Sequence, residues 1–141
     1  MDEVLLGKAA IIARCLKRIG EEYVGHEDEL TTNFTRQDAL VLNLQRACEA
    51  CIDGAMHLVR IHRLGIPTES RQAFELLMQA ALLDPTLGRP LMAMVGFRNI
   101  AVHNYQEIDA AILRQIIAER LGDLRSFEQF LIRRAFHTDH A

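Results

Sequence analysis

The sequence predicts an all-α bundle of four long helices and one short one, folded as a single domain over residues 1–141. Three observations carry this reading. Apolar residues recur at spacings of three and four through most of the chain, the period of a helix with one buried face. No stretch sustains the period-two alternation of a half-buried strand. Glycine and proline together make only 11 of the 141 residues, and Gly65 and Pro67 fall where the longest apolar pattern stops.

The first helix is expected over residues 2–24, where Leu5, Ala9, Ile12, Leu16, Ile19 and Tyr23 alternate spacings of four and three. Lys8, Arg14, Lys17, Arg18 and Glu21 take its other side. So narrow a stripe suits an antiparallel bundle. After a polar connector from Gly25 to Thr32, Thr35-Arg36-Gln37-Asp38 reads as a helix start, with Thr35 as cap and Asp38 at the acidic third position. That helix is expected over about 36–63. Leu40, Leu44, Ala47, Cys51, Ala55 and Leu58 form its apolar row, widened by Val41, Cys48, Ile52 and Val59. A face this broad belongs to a central helix.

A short third helix, about 70–82, is capped by Thr68 or Ser70 and turns Phe74, Leu77, Met78 and Ala81 inward. Asp84-Pro85 punctuates. The fourth helix is expected from Gly88–Pro90, with proline in its first turn, to Asn104. The fifth runs over about 109–134 with Leu113, Ile117, Leu121, Leu124, Phe127 and Leu131 on its core side, and residues 135–141 read as a frayed tail.

Composition bounds the function. Half the residues are hydrophobic and a quarter charged, which excludes disordered and low-complexity classes. No apolar run approaches the roughly 18–20 residues that span a bilayer. The acidic Met1-Asp2-Glu3 lacks the order of a signal peptide, so a cytoplasmic location is expected. The formal net charge of −3 gives no global attraction to nucleic acid, and such a partner would need a local basic cleft. Three cysteines, an odd number, fit a reducing compartment.

The stretch Arg98-Asn99-Ile100-Ala101-Val102-His103-Asn104-Tyr105 sets polar chemistry among Leu91, Met92, Met94, Val95 and Phe97. It reads as a helix buried on most sides, where an unpaired guanidinium would cost several kcal/mol. On a regular helix Leu91, Met94, Arg98, Ala101 and Tyr105 share one row, and Asn99 and His103 share a neighbouring face. Arg98 and His103 are separated by about 140° and about 7.5 Å of rise. They meet at one ligand if the arginine bends across, if the helix ends before His103, or if a second copy of the helix faces the first.

Two readings of these residues stand side by side. One is an Arg–Asn–His–Tyr network that locks helix packing. The other is cleavage of an RNA phosphodiester. Histidine titrates near neutrality and can take or give a proton, help worth about 10²–10⁴ in rate. Arginine can fork onto phosphate oxygens. Asparagine can fix the imidazole or bind phosphate, and tyrosine can donate a hydrogen bond or stack on a base. Attack by a ribose 2′-hydroxyl needs no metal, and no carboxylate cluster accompanies the motif.

Arg98 to Tyr105 resembles the Arg-x4-His-x-Tyr signature of HEPN ribonucleases, including the polar residue directly after the arginine. Leu42-Asn43-Leu44-Gln45-Arg46-Ala47-Cys48-Glu49-Ala50-Cys51-Ile52-Asp53, Leu64-Gly65-Ile66-Pro67 and Met94-Val95-Gly96-Phe97 resemble the HepT-like branch of that family. The resemblance implies a HEPN-type homodimer whose paired signatures cut RNA without a metal or other cofactor, as the toxin of a toxin–antitoxin pair. It assigns Arg98, Asn99 and His103 to catalysis. It implies an MntA-like nucleotidyltransferase antitoxin that moves AMP from ATP onto Tyr105, and a larger hetero-oligomer is compatible with this. Anionic groups added beside a phosphate-binding cleft would repel RNA. The alternative is a helical module that binds nucleotide or RNA, or docks the nucleotidyltransferase, without cutting.

Other constellations carry less. Cys48-Glu49-Ala50-Cys51 lies mid-helix without a second ligand pair and reads as core, as does Cys15. His57 and His62 lack an HExxH pattern and read as surface or interface. Arg46, Glu49 and Asp53 share a helix face, either as surface ion pairs or as support for the cleft. Arg133-Arg134 is too short for a nucleic-acid patch. The segment His137-Thr138-Asp139-His140 reads as a solvated tail before a metal site. No GxxxxGK[ST], GxGxxG or GxSxG motif is present, which argues against an ATPase, a dinucleotide enzyme and an α/β hydrolase.

Overall fold

The structure, a computed structural model, describes residues 1–137. Its elements in chain order are α1 (Glu3–Tyr23), α2 (Phe34–Ile61), α3 (Ser70–Gln79), α4 (Pro85–His103) and α5 (Ala110–Phe136). Single 3-10 turns at Glu27–Glu29 and Tyr105–Glu107 lie in two of the connections, and the described residues contain no strand. The expected all-α bundle is thus the observed one. No helix among the described residues is long and apolar enough to cross a membrane.

The helix directions follow from contacts between their ends. Asp2, the cap of α1, receives the Val4 and Leu5 N–H groups on its side chain. Its own N–H donates to the Ala135 carbonyl at 2.9 Å, and its other carboxylate oxygen lies 2.8 Å from His57 Nε2. Arg60 donates to the opposite ring nitrogen of His57, so Nε2 carries the proton given to Asp2. The start of α1 therefore sits against the ends of α2 and α5, antiparallel to both. Arg134 Nη2 reaches His62 Nε2 at 3.2 Å, which sets α5 parallel to α2.

Helix α2 is the hub and packs against each of the other four helices. Its predicted row and the four widening residues are all buried. Phe127 of α5 meets Phe74 of α3 edge-on, ring centres 5.7 Å apart, and stacks on Phe130 at 5.2 Å. Cys15, Cys48 and Cys51 are free and buried in this core, as the packing reading of the CxxC expects. Burial pushes the Cys48 thiol up to about 12, against the opposing pull of the Arg98 charge.

Several boundaries differ from expectation. Helix α2 begins one residue before Thr35, and the cap is Asn33, whose side chain accepts from the Arg36 N–H at 3.0 Å. It ends at Ile61 in a Schellman turn: Leu64 N–H returns to the Val59 carbonyl and Arg63 N–H to Arg60. Helix α3 closes the same way through Leu82 to Leu77 and Ala81 to Met78. Ala81 is therefore exposed at φ 59°, not inward, and Leu83 fills the core instead.

Glu69 occupies the α3 cap position without a capping bond, while Thr68 bonds to Gln72. Helix α4 starts at Pro85 under an Asp84 cap, which leaves Pro90 inside the helix beyond the first turn. Ala135 and Phe136 belong to α5 and not to a frayed tail, because Ala135 is buried and receives the Asp2 N–H. Residues 138–141 lie outside the described residues, and with them most of the tail's metal-binding reading.

Candidate active site

One side of α4 is buried through Leu91, Met94, Val95, Phe97 and Ala101. That anchoring decides where the signature points. Arg98 is half-buried, whereas Asn99 and His103 are exposed, and Ile100 and Val102 stand 36% and 47% exposed beside them. The helix is thus buried on one side within the protomer, not on most. A buried polar network that locks packing is not what these residues form.

Arg98 is held firmly. Its Nε donates to Asn99 Oδ1 at 3.0 Å and its Nη2 to Ser70 Oγ at 2.9 Å. Asn99 therefore orients the arginine, and its amide oxygen is turned to Arg98 in place of the His103 imidazole. Ser70 is the first residue of α3, so this bond also ties that helix start to α4. Beside it, Arg71 donates from Nε to the Met92 carbonyl at 3.2 Å and lies across α4. Gly96 leaves the room: a Cβ there would stand 3.0 Å from Arg71 Nη2.

These groups line one cleft of about 220 Å³, formed by Glu69, Ser70, Arg71, Val95, Arg98 and Asn99. Among the described residues neither Arg71 nor Arg98 has a carboxylate within ion-pair distance. With Glu69 also on the wall, the two guanidiniums still leave the cleft net positive on a chain of net negative charge. Guanidinium donors of this kind suit a phosphate group.

His103 is the last residue of α4, and its ring makes no hydrogen bond within the described residues. The helix runs unbroken from Arg98 to His103, so the two side chains diverge by about 140°. With Arg98 bound to Ser70 and Asn99, the guanidinium does not bend across to the imidazole. Two of the three ways the pair could share a ligand within the sequence reading are thus absent from this protomer.

Tyr105 departs from its expected place. The helix stops at His103, and Asn104 (φ −140°, ψ 51°) turns the chain into a 3-10 turn. Tyr105 therefore leaves the row of Leu91, Arg98 and Ala101. Its hydroxyl donates a hydrogen bond to Asp38 Oδ1 at the start of α2. Burial, followed by the bond to Asp38 and its charge, pushes the phenol up to about 12.

Ser70, Arg71 and Asp38 had no functional signal in the sequence. Ser70 read only as a cap and Asp38 only as a helix-start acid, and their partners lie 28 and 67 residues away. Arg46, Glu49 and Asp53 line a different groove. Asp53 pairs with Lys8 of α1 at 3.3 Å, Glu49 accepts from Gln45, and Arg46 lines a groove with Ile11 and Arg14.

Comparison with known proteins places the chain in a family. A family model described as ribonuclease HepT-like matches residues 12–131. The mRNA nuclease HepT of Shewanella oneidensis is 47% identical over 131 residues, which cover 93% of this chain and 96% of that protein. A tri-AMPylated Shewanella oneidensis HEPN toxin, solved in complex with an MNT antitoxin, superposes with a TM-score of 0.88 at 44% identity, covering 94% of this chain and 99% of the other. A toxin–antitoxin complex with AMP-PNP gives a TM-score of 0.86 at 43% identity, covering 93% and 99%. The resemblance carried by residues 42–53, 64–67 and 94–105 is borne out, and the chain belongs to the ribonuclease HepT-like family.

Proposed function

We propose that this chain is the RNA-cleaving toxin of a toxin–antitoxin pair, acting as a homodimer and without a metal. One observation carries the proposal. Helix α4 presents an Arg98 guanidinium with no carboxylate partner among the described residues and an exposed His103, in a ribonuclease HepT-like chain. In this reading the ribose 2′-oxygen attacks the adjacent phosphorus and the bond to the 5′-oxygen breaks. A 2′,3′-cyclic phosphate and a free 5′-hydroxyl result. His103 takes the proton of the 2′-hydroxyl or supplies one to the leaving oxygen. Arg98, oriented by Asn99 and Ser70, stabilises the charge that builds on the phosphate oxygens.

The donor set supports metal independence, because guanidiniums fill the role a cation would have at the phosphate. The divergence of Arg98 and His103 supports the dimer. A second α4 across a two-fold axis supplies the histidine that faces each arginine. Exposed Ile100 and Val102 beside His103 give such a contact apolar surface. AMP carried on Tyr105, two residues beyond His103, would place anionic groups near that histidine and repel RNA. The relatives solved as a tri-AMPylated toxin with its MNT antitoxin support that switch and a nucleotidyltransferase partner here.

The test uses purified wild type and His103→Ala with an mRNA transcript in excess chelator. Wild type is expected to cleave, and the variant to be slower by about 10²–10⁴. Equal cleavage by both, or none by either, overturns the reading.

A further inference from the structure

We propose that Asp38 is the general base for the adenylylation of Tyr105, so that this chain carries the catalytic carboxylate of its own inactivation. The inference rests on Tyr105 as the AMP acceptor and goes beyond it, because it concerns how the phenol becomes a nucleophile.

The geometry is direct. The Tyr105 hydroxyl, the atom that would attack, donates its proton to Asp38 Oδ1. Among the described residues Asp38 makes no other side-chain hydrogen bond and no ion pair, so no cation competes for that carboxylate. The two residues form one wall of an open groove of about 370 Å³, completed by Val41, Leu42 and Gln45. None of these is cationic. The groove offers a nucleophile and a base but nothing to offset phosphate charge, so the charges that hold ATP must come from the partner enzyme.

Chemistry requires the base. With the phenol pushed up to about 12 by burial and by Asp38, almost none of it is ionised near neutral pH. Attack must therefore shed the proton during the step, and Asp38 already accepts the hydrogen bond along which it would leave. The step balances as follows: the bond from Tyr105 Oη to the α-phosphorus of ATP forms as the bond from that phosphorus to the pyrophosphate oxygen breaks. The phenolic proton passes to the Asp38 carboxylate, and pyrophosphate leaves with the electron pair.

The test follows AMP addition by intact mass in the complex with the cognate nucleotidyltransferase and ATP. Asp38→Asn keeps a hydrogen-bond acceptor for the phenol but cannot take its proton, and is expected to slow the first addition by about 10²–10⁴. Asp38→Glu is expected to recover part of the rate. Folding of each variant is checked by circular dichroism. Asp38→Asn modified at the wild-type rate overturns the role of Asp38 while leaving Tyr105 as acceptor. Tyr105→Phe that still gains AMP overturns the acceptor reading itself, and the inference with it.

Discussion

Arg98 is tied to two oxygens on the side of α4 away from His103, and this makes Ser70 the most informative single residue of the cleft. Removing the Ser70 hydroxyl leaves Asn99 as the guanidinium's one hydrogen-bond partner among the described residues. A hydrogen bond to a charged group is worth about 1.5–3 kcal/mol, and a misplaced arginine loses its grip mainly in the transition state. Ser70→Ala is therefore expected to lower kcat for RNA cleavage by roughly ten-fold or more with KM little changed, read by steady-state cleavage of a short RNA. A rise in KM alone would show that Ser70 contributes ground-state binding and does not position Arg98. Arg98 and His103 were legible in the sequence because their spacing is local and fixed by helix geometry. Ser70 and Arg71 were not. No periodicity within α4 reports a hydroxyl 28 residues upstream. Asp38 was hidden for the same reason, and the break of the helix at His103 moved Tyr105 off the row that a continuous helix would have given it.

At the scale of elements, what the sequence revealed was the faces and what it concealed was the ends. The predicted row of α2 is buried because burial follows a 3.6-residue period that any apolar pattern records. The ends depend on single caps and turns. Asn33 caps where Thr35 was the expected cap, and asparagine is the stronger of the two at that position. The ends of α2 and α3 were harder still. Both turn through a left-handed residue that is not glycine, Arg63 at φ 54° and Ala81 at φ 59°. At α2 the announcing Gly65 and Pro67 lie two and four residues past the turn residue Arg63, and at α3 no glycine announces the stop.

That conformation costs an L-residue roughly 1–2 kcal/mol, and glycine recovers it less about 0.5–1 kcal/mol of extra backbone entropy. Ala81 is exposed, so its methyl group packs against nothing that would be lost. Ala81→Gly is expected to raise Tm by about 2–4 °C in a calorimetric scan. A fall in Tm would mean that the turn between α3 and α4 is already relaxed.

On the scale of the whole molecule, the protomer is a finished core with an unfinished site. Its apolar interior is continuous from α1 to α5, yet the two groups best suited to phosphodiester cleavage diverge on one rigid helix. A two-fold arrangement resolves this only if the arginine of one copy works with the histidine of the other. Complementation separates that arrangement from a self-sufficient protomer. Arg98→Ala and His103→Ala chains would be produced together with different tags, and doubly tagged dimers isolated. Each mixed dimer holds one intact arginine and one intact histidine, on opposite chains. If the pairing runs between copies, one such cleft is restored, and mixed dimers are expected to cleave RNA well above either parent variant. Full wild-type rate is not expected where a second histidine also serves as acid or base. If each protomer uses its own pair, mixed dimers contain no complete site and stay at the level of the parents. A single-copy particle by light scattering, with activity intact, would overturn the shared cleft altogether. In that case Arg98 would have to leave Ser70 and reach His103 across more than a third of a helical turn.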